Sequence, residues 1–137
     1  MRATKEGTGD MARLINFGAG EVCDRLSILA LKILYGRETS KDVTHFENER
    51  SVLLTKISSS QLSGRWFTCY TELAAVNAAI WQSEDTLRGY ARNAANTNPE
   101  SVAAIAYRLQ QLNDRRAELI ELINKEVGDH LGSEKLT

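Results

Sequence analysis

The sequence is poor in cysteine and histidine, the nitrogen and sulfur ligands of transition metals. Its two cysteines, Cys23 and Cys69, fall within apolar helical patterns, so we expect both to be buried free thiols. Neither of its two histidines stands three residues after a glutamate, which excludes the paired Glu-x-x-His ligands of helical di-iron proteins. His45 and Glu49 share a helix face, but two ligands without others in register are typical of a solvated pair. We therefore expect no metal and no other cofactor.

Charge of one sign and long apolar runs are lacking as well. The 17 basic and 18 acidic residues leave a net charge of -1, and no cluster of Lys or Arg could neutralise nucleic-acid phosphates. No stretch approaches the roughly 20 apolar residues of a membrane span, and the first residues lack the apolar centre of a secretory signal. Gly-rich phosphate loops and nucleophile elbows are also missing. We expect a cytoplasmic protein that binds no nucleic acid and spans no membrane.

What the sequence does contain is apolar residues at helical spacing. The chain of 137 residues is long enough for one domain with one core. The spacing predicts four helices, over roughly 20–36, 41–58, 65–93 and 99–127. The first is apolar nearly all round and should be central, and the short connections favour an all-α, antiparallel up-down-up-down four-helix bundle. We expect a flexible N-terminal arm over 1–15, the bundle over 16–128 and a C-terminal tail over 129–137.

Several residues are typical of helix ends. Gly36 and Gly128 follow apolar stripes where a left-handed C-cap would close a helix. Thr39 or Ser40 is expected to cap the start of the second helix. Asn98, followed by a proline and a glutamate, is the clearest helix start in the chain.

Polar residues interrupt the apolar stripes of the third and fourth predicted helices and crowd the first turn of the first. In the third helix the spacing is four, three and four residues, at Asn77, Trp81, Glu84 and Arg88. These residues share the stripe that Leu73 and Ile80 place against the core. Burying an ion without a partner costs several kcal/mol, so side chains that face inward should satisfy one another. We therefore predict a shared network inside the bundle. This predicted polar set comprises Glu21, Asp24, Arg25, Asn77, Trp81, Glu84, Asp85, Arg88, Asn113, Asp114 and Arg116.

Residues 20–29 read GEVCDRLSIL, a Gly-Glu pair that leads into Asp, a basic residue and a Leu-Ser-Ile-Leu run. This stretch resembles the opening signature of a family of small uncharacterised bacterial helical proteins. The resemblance covers roughly residues 16–136. It continues at Asn77, Trp81, Glu84, Asp85, Arg88, Asn113, Asp114, Arg115, Arg116, Gly132, Ser133, Glu134 and Lys135.

Genes of the resembled family often lie beside glycosyltransferase genes in lipopolysaccharide or other surface-polysaccharide clusters. The resemblance therefore implies an accessory or binding role in the assembly of surface glycans. It supplies no catalytic mechanism. For this role we expect a protein partner or a small anionic ligand, and self-association of the chain.

The sequence leaves two interpretations of the predicted polar set open. In the first, the set is a buried hydrogen-bonded network that holds the helices in register. In the second, it lines a cleft for an anionic or sugar-like ligand, with Arg88 and Arg116 as clamps and Glu84 or Asp85 as general base. The chain would then be a small helical enzyme acting on an anionic or sugar-phosphate ligand. Trp81 fits either a core aromatic or a stacking platform.

Overall fold

The computed structural model describes residues 18–57 and 64–128, and over these ranges the chain is helical and has no strand. The helices are α1 (Ala19–Glu38), α2 (Thr44–Ile57), α3 (Gly64–Arg92) and α4 (Pro99–Val127), with a 3-10 turn at Ala94–Asn96. The predicted all-α four-helix bundle is confirmed. None of the described helices is long and apolar enough to cross a bilayer. The predicted N-terminal arm and C-terminal tail lie outside the described residues.

Helix α1 is the central element, because it contacts each of the other three helices. Gly20 near the start of α1 bonds to Asn124 near the end of α4, and Asp24, one turn later in α1, bonds to Arg116, about two turns earlier in α4. The two helices therefore run in opposite directions. Helices α3 and α4, each of 29 residues, form the most extensive pair of the bundle. These contacts are compatible with the predicted up-down-up-down course.

The hydrophobic core lies where α1 and α2 pack on the α3–α4 pair. Each fully buried Leu or Ile side chain contributes roughly 1.5–3 kcal/mol through the loss of apolar surface to water. All four helices supply such residues, so no helix can be removed without exposing the core. The most deeply buried side chains are Cys23, Leu29, Leu53, Leu73, Leu119 and Ile123.

The ends of α4 are as the sequence predicts. The Asn98 side chain accepts a hydrogen bond of 2.9 Å from the backbone N–H of Glu100, as an N-cap residue does. Gly128 closes the helix with a φ of 70°, in the left-handed region that a residue without Cβ adopts at no steric cost. Both expectations rest on local chemistry, and both are confirmed.

The turn between α1 and α2 differs from the prediction. Helix α1 continues through Gly36 to Glu38, so the expectation that Gly36 caps it is wrong. Gly36 is needed instead for packing, since a Cβ there would overlap the Val43 side chain. The left-handed position falls to Ser40, whose φ is 58°.

The expected cap of α2 is wrong for a related reason. The Thr39 hydroxyl donates back to the carbonyl of Tyr35 in α1, at 2.9 Å. Asp42 takes the capping role, because its Oδ1 accepts from the backbone N–H of Thr44 at 2.9 Å and from the Thr44 hydroxyl at 2.6 Å. Helix α1 ends two residues later than predicted, and α2 begins three residues later.

Both cysteines are buried free thiols, as predicted. Cys23 has no exposed surface, and burial, assisted by the nearby charges of Asp24 and Glu21, raises the pKa of its thiol to about 12. Because the thiolate is the reactive form, a Cys69→Ala chain, in which Cys23 is the single cysteine, should resist a disulfide reagent at pH 8. It should react fully once unfolded in guanidinium. Rapid labelling of the native chain, followed at the absorbance of the released thiol, would contradict this burial.

The same shift makes stability depend on pH. The folded chain binds the Cys23 proton more tightly than the unfolded chain does, so the neutral thiol contributes its full stability below the ordinary pKa of 9.0. That contribution is lost progressively as the pH rises from 9.0 toward about 12. Urea titrations at increasing alkaline pH should therefore show a falling free energy of unfolding.

Candidate functional site

Three helices meet around the buried carboxylate of Asp24, which is 8% exposed. Arg116 of α4 donates two parallel hydrogen bonds to it, from Nε to Oδ1 at 2.8 Å and from Nη2 to Oδ2 at 2.6 Å. Asn77 of α3 donates through Nδ2 to Asp24 Oδ1 at 2.9 Å and to the Ser27 hydroxyl at 2.6 Å. Ser27 in turn donates to the backbone carbonyl of Asp24 at 2.8 Å. We call Asp24, Ser27, Asn77 and Arg116 the polar cluster.

The polar cluster neutralises itself. A two-pronged guanidinium–carboxylate pair is among the strongest hydrogen-bonded arrangements in proteins. The hydrogen bonds to Asp24 raise the pKa of the Arg116 guanidinium further, so this side chain keeps its charge. The two oxygens of the Asp24 carboxylate accept three hydrogen bonds from within the cluster. The geometry suits a device that holds three helices in register.

A second interhelical contact caps the start of α1. Gly18, at the N-cap position, supplies no side chain for this purpose. Asn124 of α4 acts instead, since its Oδ1 accepts from the backbone N–H of Gly20 at 2.6 Å. Its Nδ2 donates to Glu21 Oε1 at 2.7 Å, which places that carboxylate at the positive end of the α1 dipole. Helix α4 thus satisfies an N–H group that α1 cannot satisfy itself.

Five members of the predicted polar set lie on the surface. The expectation that they point into the bundle is wrong, and Arg88 pairs with Asp85 on the exposed face of α3. Glu84 is also exposed, although its charge still acts on Arg116. As ligand contacts they remain a prediction. The five are Glu84, Asp85, Arg88, Asn113 and Asp114.

The packing of α1 against α3 explains why Glu84 is exposed although Asn77 is buried. The buried residues of α3 recur at Leu73, Val76, Ile80 and Ser83, so Asn77 and Glu84 both lie one position beside that line. The side chain of Asn77 is covered because α1 passes over it and supplies hydrogen-bond partners. Glu84, two turns further along, has no such cover. Periodicity places both on the same face and cannot distinguish them.

Arg25 belongs to a separate ion pair. It donates from Nε to Glu49 Oε2 at 2.6 Å and from Nη2 to Glu49 Oε1 at 2.9 Å, which joins α1 to α2. This hydrogen bonding lowers the pKa of the Glu49 carboxyl. The pair is half-buried and does not touch the polar cluster.

Sequence reasoning missed three partners of the predicted set. Ser27 stands three residues after Asp24, and Asn124 stands eight after Arg116, so helical spacing could have found both. Glu49 carries no such signal, because its pairing depends on how α2 packs against α1.

Trp81 lies at the edge of an open groove. Its ring stacks on that of Tyr35 in α1, with centroids 5.5 Å apart and planes inclined by 11°. The groove beside them has a volume of about 470 Å³ and is bounded by α1, the following turn, α2 and α3. We call it the aromatic groove. Its lining includes Lys32, Tyr35, Lys41, His45, Phe46 and Trp81.

The described part of the chain has no group of three His, Cys, Asp or Glu side chains that could hold a metal ion. Comparisons with protein-family models, with curated proteins and with solved structures find no significant match to this chain.

Proposed function

We propose that this chain is a non-catalytic accessory module in bacterial surface-glycan assembly, and that it acts in the cytoplasm by binding. The polar cluster carries this proposal. Asp24 accepts two hydrogen bonds from Arg116 and one from Asn77, in a contact that joins three helices. A site that keeps its charges for its own fold offers no free acid, base or anion clamp to a substrate.

The placement of the other predicted catalytic residues supports the same choice. A general base must reach the proton it removes, and an anion clamp must converge on the same ligand. Glu84 and Asp85 are exposed on α3, and Asp85 already pairs with Arg88. Arg88 and Arg116 are thus each paired with a carboxylate of the chain itself, Asp85 and Asp24 respectively.

The assignment to glycan assembly rests on the resemblance at residues 20–29 and at the later matching positions. The module would serve a protein partner or a small anionic ligand in that process. Self-association is part of the proposal and is measured directly by multi-angle light scattering of the purified chain. A strictly monomeric mass over a wide concentration range would remove that part and leave the binding role in place.

The proposal is tested by deleting the gene in its own bacterium and examining surface polysaccharide by gel electrophoresis. We expect an altered polysaccharide profile that the wild-type gene restores. A Glu84→Gln/Asp85→Asn variant should restore it equally, because both side chains are exposed and surface substitutions change stability by only about 0.5 kcal/mol.

Two outcomes would oppose the proposal. An unchanged polysaccharide profile in the deletion strain would remove the role in glycan assembly. A Glu84→Gln/Asp85→Asn chain that is folded by circular dichroism but cannot restore the profile would favour an enzyme. Each carboxylate is replaced by its own amide, so shape is kept while basicity is lost.

A further inference from the structure

The aromatic groove has the size and construction of a small-molecule site. Its volume of about 470 Å³ falls within the range of roughly 300–1,000 Å³ that such sites occupy. It lies at the turn between α1 and α2, where the absence of a Cβ at Gly36 lets the Val43 side chain pack closely against this glycine. Four separate parts of the chain contribute walls, so the shape depends on the tertiary fold.

The charge in the groove favours an anion. Lys32 and Lys41 both line it, and within residues 18–57 and 64–128 neither lysine forms an ion pair. Asp42 is the acid among the lining residues, and the hydrogen bonds from Thr44 lower the pKa of its carboxyl, so its charge remains. The two lysines of the lining therefore outweigh one carboxylate. The carboxylate of Glu49 acts on Lys32 and on His45, but Arg25 already neutralises it.

The wall of the groove favours a ring. Tyr35 and Trp81 are stacked almost in parallel, and both are half-buried, so they present a flat aromatic surface beside the lysines. Such a surface accepts a further planar base or the C–H face of a sugar. Lys32 Nζ lies 5.3 Å from the centre of the Phe46 ring, which holds the ammonium at the groove rather than away from it.

We propose that the aromatic groove binds a phosphorylated ring compound, with the ring against Tyr35 and Trp81 and the phosphate between Lys32 and Lys41. The proposal rests on the binding role proposed above and names the ligand chemistry of that role. Two sources share this chemistry, a nucleoside diphosphate and a sugar phosphate.

Isothermal titration calorimetry of the full chain tests the assignment with ADP, glucose 1-phosphate, adenosine and inorganic phosphate. We expect one of the two phosphorylated ring compounds to bind with a stoichiometry near one. Adenosine and inorganic phosphate should bind at least about tenfold more weakly, because each lacks one half of the recognised chemistry. Preference for ADP or for glucose 1-phosphate identifies the source.

The matched variants are Lys32→Gln/Lys41→Gln and, as control, Lys56→Gln/Lys125→Gln, which removes the same charge from exposed positions outside the groove. The groove variant should lose about tenfold or more in affinity, and the control should bind like the wild type. Equal affinity in both variants overturns the assignment. So does the absence of binding by both phosphorylated probes at millimolar concentration. If the gene deletion still alters the polysaccharide in that case, the accessory role stands and the groove assignment alone fails.

Discussion

Replacement of Arg116 by methionine should lower the free energy of unfolding by about 3 kcal/mol, because it leaves a buried carboxylate without its countercharge. Asp24 is 8% exposed and would keep Asn77 as its remaining side-chain donor. The Arg116 side chain is 32% exposed, so water entering the vacated space limits the loss to the lower end of the range for broken buried pairs. Urea denaturation followed by circular dichroism measures the change.

Arg115→Met is the matched control for this variant. Arg115 is the neighbouring residue and pairs with Glu72 and Glu118 on the surface, where its side chain is 41% exposed. Ion pairs of this kind contribute about 1 kcal/mol or less. A loss in Arg116→Met no larger than in the control would contradict a structural role for the polar cluster. Arg116 would then become a candidate ligand clamp again.

A double variant distinguishes the effect of the two charges on stability from the effect of side-chain packing. Asp24→Asn combined with Arg116→Met removes both members of the pair, so no uncompensated charge remains inside the bundle. We expect the double variant to be more stable than Arg116→Met alone, since contacting residues do not contribute additively. Equal or lower stability would mean that Arg116 acts through its apolar stem and not through its charge.

Gly20→Ala should be comparably destabilising, by about 3 kcal/mol, because the new methyl group meets backbone and has no free space to enter. A Cβ at this position would overlap the carbonyl oxygen of Ile120 and lie 3.0 Å from Asn124 Oδ1. Helices α1 and α4 would have to separate, which would also weaken the bond that caps α1. The expected result is a clearly lower melting temperature by circular dichroism.

Gly89→Ala provides a control with the opposite sign. Gly89 lies within α3, and a Cβ there would have nothing within 4 Å. Alanine should therefore raise stability by roughly 0.5–1 kcal/mol through its higher helix propensity alone. A similar loss of stability in both variants would mean that Gly20→Ala destabilises the chain for a reason other than the close approach of α1 and α4.

The polar cluster and the aromatic groove are connected through α1. Asp24 and Ser27 anchor the first half of this helix, and Lys32 and Tyr35 lie two to three turns further along the same rod. Because a helix transmits position along its axis, the register set at the cluster also sets where Tyr35 meets Trp81.

The sequence by itself determined the features that depend on neighbours along the chain. Apolar spacing predicted four helices with ends within about three residues of those observed, as is usual for such boundaries. The caps at Asn98 and Gly128 follow from local backbone chemistry, which no other helix alters. The same periodicity singled out Asn77 and Arg116, and the position of Asp24 in the first turn of a helix singled out the third member of the group that the structure brings together.

Only the tertiary structure decided which polar residues are buried and at which two helical positions a glycine is required. Asn77 and Glu84 share a helix face, but α1 covers only the first of them. Gly20 and Gly36 lie within helices, and the absence of a Cβ at these positions lets Ile120 and Val43 approach closely. Helical periodicity gives the direction of a side chain. How far a neighbouring helix extends over it depends on packing between segments distant in the chain, and one-dimensional spacing carries no information on that distance.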